Sequence, residues 1–401
     1  MIVLQDIQEA YGQIKNNIYH SPCAFSQSLS ELTGSKVFLK LENLQMTGSF
    51  KERGALNKLL SLTPEERRRG VIAASAGNHA QGVAYHAARL GGKSIIVMPE
   101  ATPLNKVSAT KRYGAQVILY GKNYDEAYDE AIYKQQQEGL NFIHAFDDEK
   151  VMAGQGTIGL EILEDGIEPE AVIVPIGGGG LISGIAVAIK EQIPSCKIFG
   201  VQAKVAPSMK VSIDSKRIIP LKTAPTLADG IAVKSVGHLT YPIVQHYIDD
   251  IVLVDEEEIA AAILTLLETE KTMVEGSGAA PLAALAYHDL PLKGKKTVLV
   301  LSGGNIDINI LSRIIERGLI KDGRMARLRI ELVDRPGQLA VIANCIGKLN
   351  ANILEVYHNR SFINAPMGKA FLDITLETRG KEHVDEIVAA LIHEGFPVQK
   401  L

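Results

Sequence analysis

The chain has 401 residues, 46% of them hydrophobic and 22% charged, with a net charge of −4 and a pI near 6.2. That length suits two or three domains rather than one, and the composition supports a large core. The weak negative charge gives no electrostatic reason to expect nucleic acid or an anionic membrane as a partner.

At the start, Met1 to Tyr19 sets Leu4, Ile7, Tyr11 and Ile14 at amphipathic helical spacing among Asp6, Glu9 and Lys15. It has no signal-peptide pattern, and no apolar run in the chain approaches the roughly 20 residues needed to span a bilayer. Cys23, Cys196 and Cys345 lie far apart with no CxxC pair. A disulfide framework or zinc cage is therefore not expected, and the thiols read as those of a cytoplasmic protein.

From about Ser35 to Leu301, short β-rich runs alternate with longer helical stretches. The runs are Lys36–Lys40, Gly70–Ala74, Ser94–Met98, Gln116–Tyr120, Ala171–Pro175, Ile198–Gln202 and Thr297–Leu301. Several are apolar throughout, as parallel strands covered on both faces are. The expected architecture is α/β, with ligands at the carboxyl ends of strands.

Four segments in this region carry chemistry. In Thr47-Gly-Ser-Phe-Lys-Glu-Arg-Gly54, Lys51 stands at an expected helix start among small and aromatic neighbours. Both the helix terminus and partial desolvation disfavour an ammonium there, so the amine can form an imine. A surface lysine in a charged helix is the plainer reading of that segment alone. Ser75-Ala-Gly-Asn-His-Ala-Gln-Gly82 follows an apolar strand, and its small residues expose backbone N–H groups suited to a carboxylate. Asn78 offers both donor and acceptor to a ligand; a simple strand-to-helix turn with a buried histidine fits this segment equally well. Pro175-Ile-Gly-Gly-Gly-Gly-Leu181 places four glycines between a strand and a helix, where the backbone can approach a phosphate closely. A dinucleotide fingerprint fits less well, because Ser183 stands where its third glycine belongs and Gln202 where an acid should hold the ribose. Leu301-Ser-Gly-Gly-Asn305 also ends a strand, and Ser302 can give a neutral hydrogen bond to a ring nitrogen, unless the segment is only another turn.

After Lys321-Asp-Gly-Arg324 the pattern changes. Residues 326–333 alternate, with Leu328, Ile330 and Leu332 on one face. The turn Asp334-Arg-Pro-Gly337 then opens a helix striped by Leu339, Ile342, Ala343, Ile346 and Leu349. Strand-like runs at Ile353–His358 and Lys369–Glu377 are joined through Asn364-Ala-Pro-Met-Gly368. A second helix carries Val384, Ile387, Val388 and Leu391, and a short strand lies near Phe396–Val398. The order βαββαβ is that of a ferredoxin-like sandwich.

Taken together, the four segments resemble the fold-type-II pyridoxal-phosphate family, and within it the threonine/serine dehydratase branch. The resemblance covers residues 1 to about 320 and implies a two-lobed parallel-sheet fold. The large, cofactor-binding lobe would comprise 1–54 and 148–320, and the small lobe 55–147. It implies that Lys51 carries pyridoxal 5'-phosphate as an imine and that Phe50 packs on its ring. Asn78 would meet the ring 3-hydroxyl, Gly177, Gly178, Gly179, Gly180 and Leu181 the phosphate, and Ser302 the pyridine nitrogen. Ser75, Gly77, Asn78, His79 and Gln81 would receive the substrate amino acid. The implied reaction is loss of water and then ammonia from threonine or serine, with Lys51 as base and the cofactor phosphate as acid for the departing hydroxyl. A hydroxyl facing the pyridine nitrogen cannot protonate it, and that favours elimination over chemistry needing a long-lived carbanion.

Two departures separate the chain from the related serine racemases. Their second serine, a base on the opposite face, is here Ala76. Their divalent-cation carboxylates are missing from Gln202-Ala-Lys-Val-Ala-Pro-Ser208, so no metal is expected. Glu275, in Met273-Val-Glu-Gly-Ser-Gly278, falls where the family places a loop near the substrate, with no role assigned. Residues 326–401, with Asp334-Arg-Pro-Gly337-Gln-Leu339, resemble an ACT domain. That resemblance implies a homo-oligomer, dimer or tetramer, with an amino-acid effector at a shared interface; isoleucine, downstream of 2-oxobutanoate, is the candidate, and an oligomerisation module without ligand is the alternative. Rival readings are a β-replacement enzyme or a racemase on the same scaffold, a non-enzymatic amino-acid sensor, which the presence of Lys51 opposes, and a nicotinamide dehydrogenase.

Overall fold

The computed structural model describes residues 1–222, 224–360 and 368–401. The connection expected at 364–368 therefore lies, through residue 367, outside the described residues. The strands in chain order are β1 (Cys23–Ser26), β2 (Lys36–Lys40), β3 (Val71–Ala74), β4 (Ser94–Met98), β5 (Gln116–Leu119), β6 (Asn141–Phe142), β7 (Ala171–Pro175), β8 (Lys197–Ala203), β9 (Asp250–Val254), β10 (Lys296–Val300), β11 (Met325–Val333), β12 (Asn352–Asn359), β13 (Lys369–Glu377) and β14 (Val398–Lys400).

Met1–Ile306 and Asp307–Leu401 form two compact units. The boundary drawn near residue 320 from the sequence differs from this division. Helix Ile308–Lys321 leads directly into β11 and packs on it, and it is grouped with the C-terminal strands.

The first unit contains two sheets. One has the order β1-β2-β10-β7-β8-β9, parallel except for the edge pair β1–β2. The other has the order β5-β4-β3-β6 and is parallel throughout. Every residue of β3, β4 and β7 is buried, which explains why all but Ser94 at the start of β4 are apolar. Helix Glu149–Glu164 crosses helix Gly180–Lys190 where neither has a side chain: a Cβ on Gly184 would sit 2.4 Å from the Met152 carbonyl oxygen. The apolar cluster around Val172, Val174, Ile182, Ile185 and Ile198 anchors β7 and that second helix, and so fixes the glycine loop between them.

The second unit has one antiparallel sheet in the order β12-β13-β11-β14. Helices Gln338–Lys348 and Lys381–His393 complete its βαββαβ order. Ile342, Ile346, Ile387 and Leu391 of the helices pack against Leu328, Ile330, Leu372 and Ile374 of the strands. Among the described residues, no helix is long and apolar enough to cross a membrane.

Candidate active site

Three strand ends of the first unit meet at one cavity of about 720 Å³. The Ser75 loop leaves β3, the glycine loop leaves β7, and Ser302 follows β10. Every cofactor-side and substrate-side residue expected from the sequence, from Phe50 and Lys51 to Ser302, lines this cavity.

Lys51 is the first residue of helix Lys51–Ser61, and its Nζ donates to the Ala145 carbonyl at 2.8 Å. The Phe50 ring centroid lies 5.2 Å from the same nitrogen. Burial pulls the amine down to about 8, opposed by the Glu275 carboxylate. A sizeable fraction of the amine is therefore neutral, and nucleophilic, near physiological pH.

The glycine run is fixed by its neighbours. Gly179 adopts φ 103°, a left-handed conformation, just before helix Gly180–Lys190. A Cβ on Gly178 would lie 2.3 Å from the Phe146 ring, and one on Gly180 would lie 2.8 Å from the Phe146 carbonyl oxygen. The Gly178 carbonyl accepts from Thr240 Oγ1 at 2.6 Å and from Gly237 N at 3.1 Å. The turn is thereby held in place, with the first N–H groups of an 11-residue helix at the cavity. Those groups have no partners within the helix, which makes the turn a seat for a phosphate.

The Ser75 loop is partly self-bonded: Gly77 N donates to Ser75 Oγ at 3.2 Å. His79 is almost fully buried, its Nε2 bonded to the Ile143 carbonyl at 2.8 Å. Burial, reinforced by nearby Lys51, pushes it down to about 3, so the ring is neutral. Asn78 opens helix Asn78–Arg89. Its Nδ2 donates to Glu275 Oε1 at 2.7 Å, and its Oδ1 accepts from Asn305 Nδ2 at 2.8 Å. Ser302 is buried, and its carbonyl accepts from Phe50 N at 3.1 Å, tying the β10 end to the lysine turn. Gln202 caps helix Ser208–Asp214, accepting at Oε1 from Met209 N at 3.0 Å and Lys210 N at 2.9 Å.

Several site features have no clear sequence signal. Phe146 and Thr240 stand in segments with no motif of their own, and Asn305, though it closes the Leu301–Asn305 segment, carries no role legible there. Two residues beyond Lys51, the fully buried Arg53 bridges Glu42 and Glu161. Its Nε and Nη2 reach Glu42 at 2.7 and 2.8 Å, and its Nη1 and Nη2 reach Glu161 at 2.6 and 2.7 Å. Buried Lys40 joins Glu161 at 2.7 Å, so two cations and two carboxylates balance beneath the lysine helix. In the sequence Arg53 sits in the lysine segment without a role, and nothing there pairs it with Glu42, Glu161 or Lys40.

The amine, the phosphate seat and the buried hydroxyl together fit pyridoxal phosphate, which needs an imine-forming lysine, N–H groups for its phosphate and a partner for its ring nitrogen. A family model described as pyridoxal-phosphate dependent enzyme matches residues 14–303, and the chain belongs to that family. The L-threonine ammonia-lyase of Thermotoga maritima is 51% identical over 399 residues, spanning 100% of this chain and 99% of its own. The L-threonine ammonia-lyase of Geobacter sulfurreducens is 49% identical over 395 residues, 98% of each chain. Among solved structures, the processed form of threonine deaminase isoform 2 from Solanum lycopersicum is 40% identical with a TM-score of 0.75, covering 78% of this chain and 87% of its own.

Proposed function

We propose that this lyase converts L-threonine to 2-oxobutanoate and ammonia, and L-serine to pyruvate and ammonia, by β-elimination of water. The observation that carries the reading is the Lys51 amine, lowered to about 8 and set in one cavity with the helix-terminal glycine seat. Full-length similarity to two L-threonine ammonia-lyases supports the substrate. Bound pyridoxal phosphate supplies an electron sink for the charge left at the substrate Cα.

The chain's own residues do the rest. Lys51 Nζ would hold the cofactor and, as the free amine, would take the Cα proton. Phe50 would pack on the ring, Asn78 would meet its 3-oxygen, Gly177–Leu181 would hold the phosphate, and Ser302 would offer its hydroxyl to the ring nitrogen. Ser75, Gly77, His79 and Gln81 belong to the substrate side, where backbone N–H groups receive the carboxylate. Ala76 carries no proton to return to Cα from the opposite face, which supports elimination over racemisation.

For the C-terminal unit, the reading is a regulatory ACT-like module over 326–401. Support comes from its βαββαβ order and from Gly337, at φ 91°, opening helix Gln338–Lys348. It would bind an amino acid, with isoleucine the candidate, between copies of a dimer or tetramer, and shift the equilibrium of the catalytic lobes. The lobes proposed are 1–54 with 148–320, and 55–147. Three free cysteines support a reducing cytoplasmic setting.

The test is 2-oxo acid release from L-threonine and L-serine, with and without isoleucine, beside O-acetylserine with sulfide. Rapid release from the hydroxyamino acids is expected. Thiol product without 2-oxo acid would replace this reading with β-replacement, and indifference to isoleucine would remove it as effector.

A further inference from the structure

We infer that Glu275 and Asn305 are positioning residues that lock the Asn78 amide so that it faces the cavity as a hydrogen-bond donor. The inference rests on the cofactor reading above and concerns the side of Asn78 that a ligand meets.

The lock follows from chemistry that admits one direction. The Thr47 carbonyl can only accept, and Asn305 Nδ2 lies 2.8 Å from it. The same Nδ2 lies 2.8 Å from Asn78, so the atom it meets there must be an acceptor, Oδ1. That turns the Asn78 NH2 group toward Glu275, whose Oε1 accepts it at 2.7 Å. Ser277 Oγ donates to this same Oε1, also at 2.7 Å. Polarity thus runs one way, from Asn305 through Asn78 to Glu275. One Asn78 N–H is used, and the other is the donor left for the cavity.

The surroundings prevent the cluster from relaxing. Glu275 is buried, and its backbone N–H donates to the Gly303 carbonyl at 3.0 Å. A Cβ on Gly303 would come within 2.6 Å of Glu275 Oε1 and 3.2 Å of Asn78 Nδ2. On the other side, a Cβ on Gly230 would lie 2.8 Å from Ser277 Oγ. Burial raises the Glu275 carboxyl above its usual range, yet Oε1 keeps two donors and so remains an acceptor. A donor-only Asn78 favours an anionic oxygen opposite it, so the ring 3-oxygen is held as the phenolate.

The experiment compares wild type, Glu275→Gln, Asn305→Ala, the double variant Glu275→Gln/Asn305→Ala and Ser277→Ala as holoenzymes, by visible absorption and by pyridoxal phosphate affinity. Each single variant leaves one end of the lock in place: in Glu275→Gln the Asn305 donor still meets Asn78 Oδ1, and in Asn305→Ala Glu275 still accepts from Asn78 Nδ2, so only the double variant frees the amide to turn over. The double variant should shift the cofactor band toward the neutral-phenol form and weaken cofactor binding about tenfold, and each single variant should do so less. Ser277→Ala keeps the Asn78 bond and should retain the wild-type band. If the double variant folds, keeps the wild-type band and binds cofactor as tightly, the lock is refuted. A change confined to KM for threonine would assign Glu275 to the substrate and likewise overturn it. A wild-type chain that takes up no pyridoxal phosphate would remove the cofactor reading itself, an outcome distinct from both.

Discussion

In the first unit β3, β4 and β7 are buried along their whole length, whereas in the second β11 alternates, with Leu328, Ile330 and Leu332 inward and Arg327, Arg329 and Glu331 on the other face. A strand covered on both faces meets a cavity only at its ends, so chemistry collects in the loops at its carboxyl end. Lys51, Asn78, the glycines and Ser302 stand in such loops or beside them. An alternating strand carries polar groups along its own length, where ion pairs such as Arg329–Asp373, at 2.7 Å, tie strand to strand. Substitutions in the first unit should therefore change the reaction or the whole fold, and those on the second unit's sheet should change local stability with turnover intact.

The largest contrast is between two arginines. Arg53→Met leaves buried Glu42 without its ion-pair partner and Glu161 with Lys40 alone, at a cost of about 3–5 kcal/mol. Chemical denaturation should show that loss, or no folded protein should be recovered. Arg329→Met removes a partly exposed cation from Asp373, which is buried but keeps the Asn359 amide at 3.2 Å, so a fall in the thermal midpoint smaller than that of Arg53→Met is expected, with unchanged kcat. Equal losses would break the comparison.

Glycines sharpen it next. Gly178→Val forces a side chain into the Phe146 ring, and pyridoxal phosphate affinity should fall about a hundredfold in a titration. Gly347→Ala, in helix Gln338–Lys348 with nothing within 4 Å of its added Cβ, should leave cofactor affinity unchanged and raise stability by up to about 1 kcal/mol.

The pH dependence of Lys51 gives a smaller effect. Only the neutral amine takes up cofactor, so the uptake rate of cofactor-free enzyme should rise about tenfold per pH unit below about 8 and level off above it. The linkage has the same origin. Between about 8 and the amine's ordinary 10.5 the unfolded chain binds more protons at this site, so its contribution to stability rises with pH across that window. A flat uptake profile would place the amine's pKa elsewhere.

Much of this is legible from residue order, for reasons that differ by region. Lys369–Glu377 alternates so regularly that its strand is read with the bounds observed. The run of β7 is apolar throughout and that of β4 is apolar after Ser94, and both are equally plain. β1 escapes such a reading because Cys-Ala-Phe-Ser is short, mixed and at a sheet edge, and β6 has only two residues. β9, Asp-Ile-Val-Leu-Val, is absent from the strands expected above although its apolar run is visible. Within the site, motifs reveal Lys51 and the glycines because the local backbone there must suit one chemistry. The Glu275–Asn78 bond joins residues 197 apart, and Phe146 shapes the glycine loop from another strand's end. Such pairings are made by the tertiary fold and leave no local pattern.

The most direct test of the account is 2-oxo acid formation from L-threonine by wild type and by Lys51→Ala, each supplied with pyridoxal phosphate and each shown to be folded by circular dichroism. The account predicts rapid 2-oxobutanoate formation by wild type and a fall of at least about a thousandfold in the variant. A folded Lys51→Ala that forms 2-oxobutanoate at the wild-type rate would contradict it.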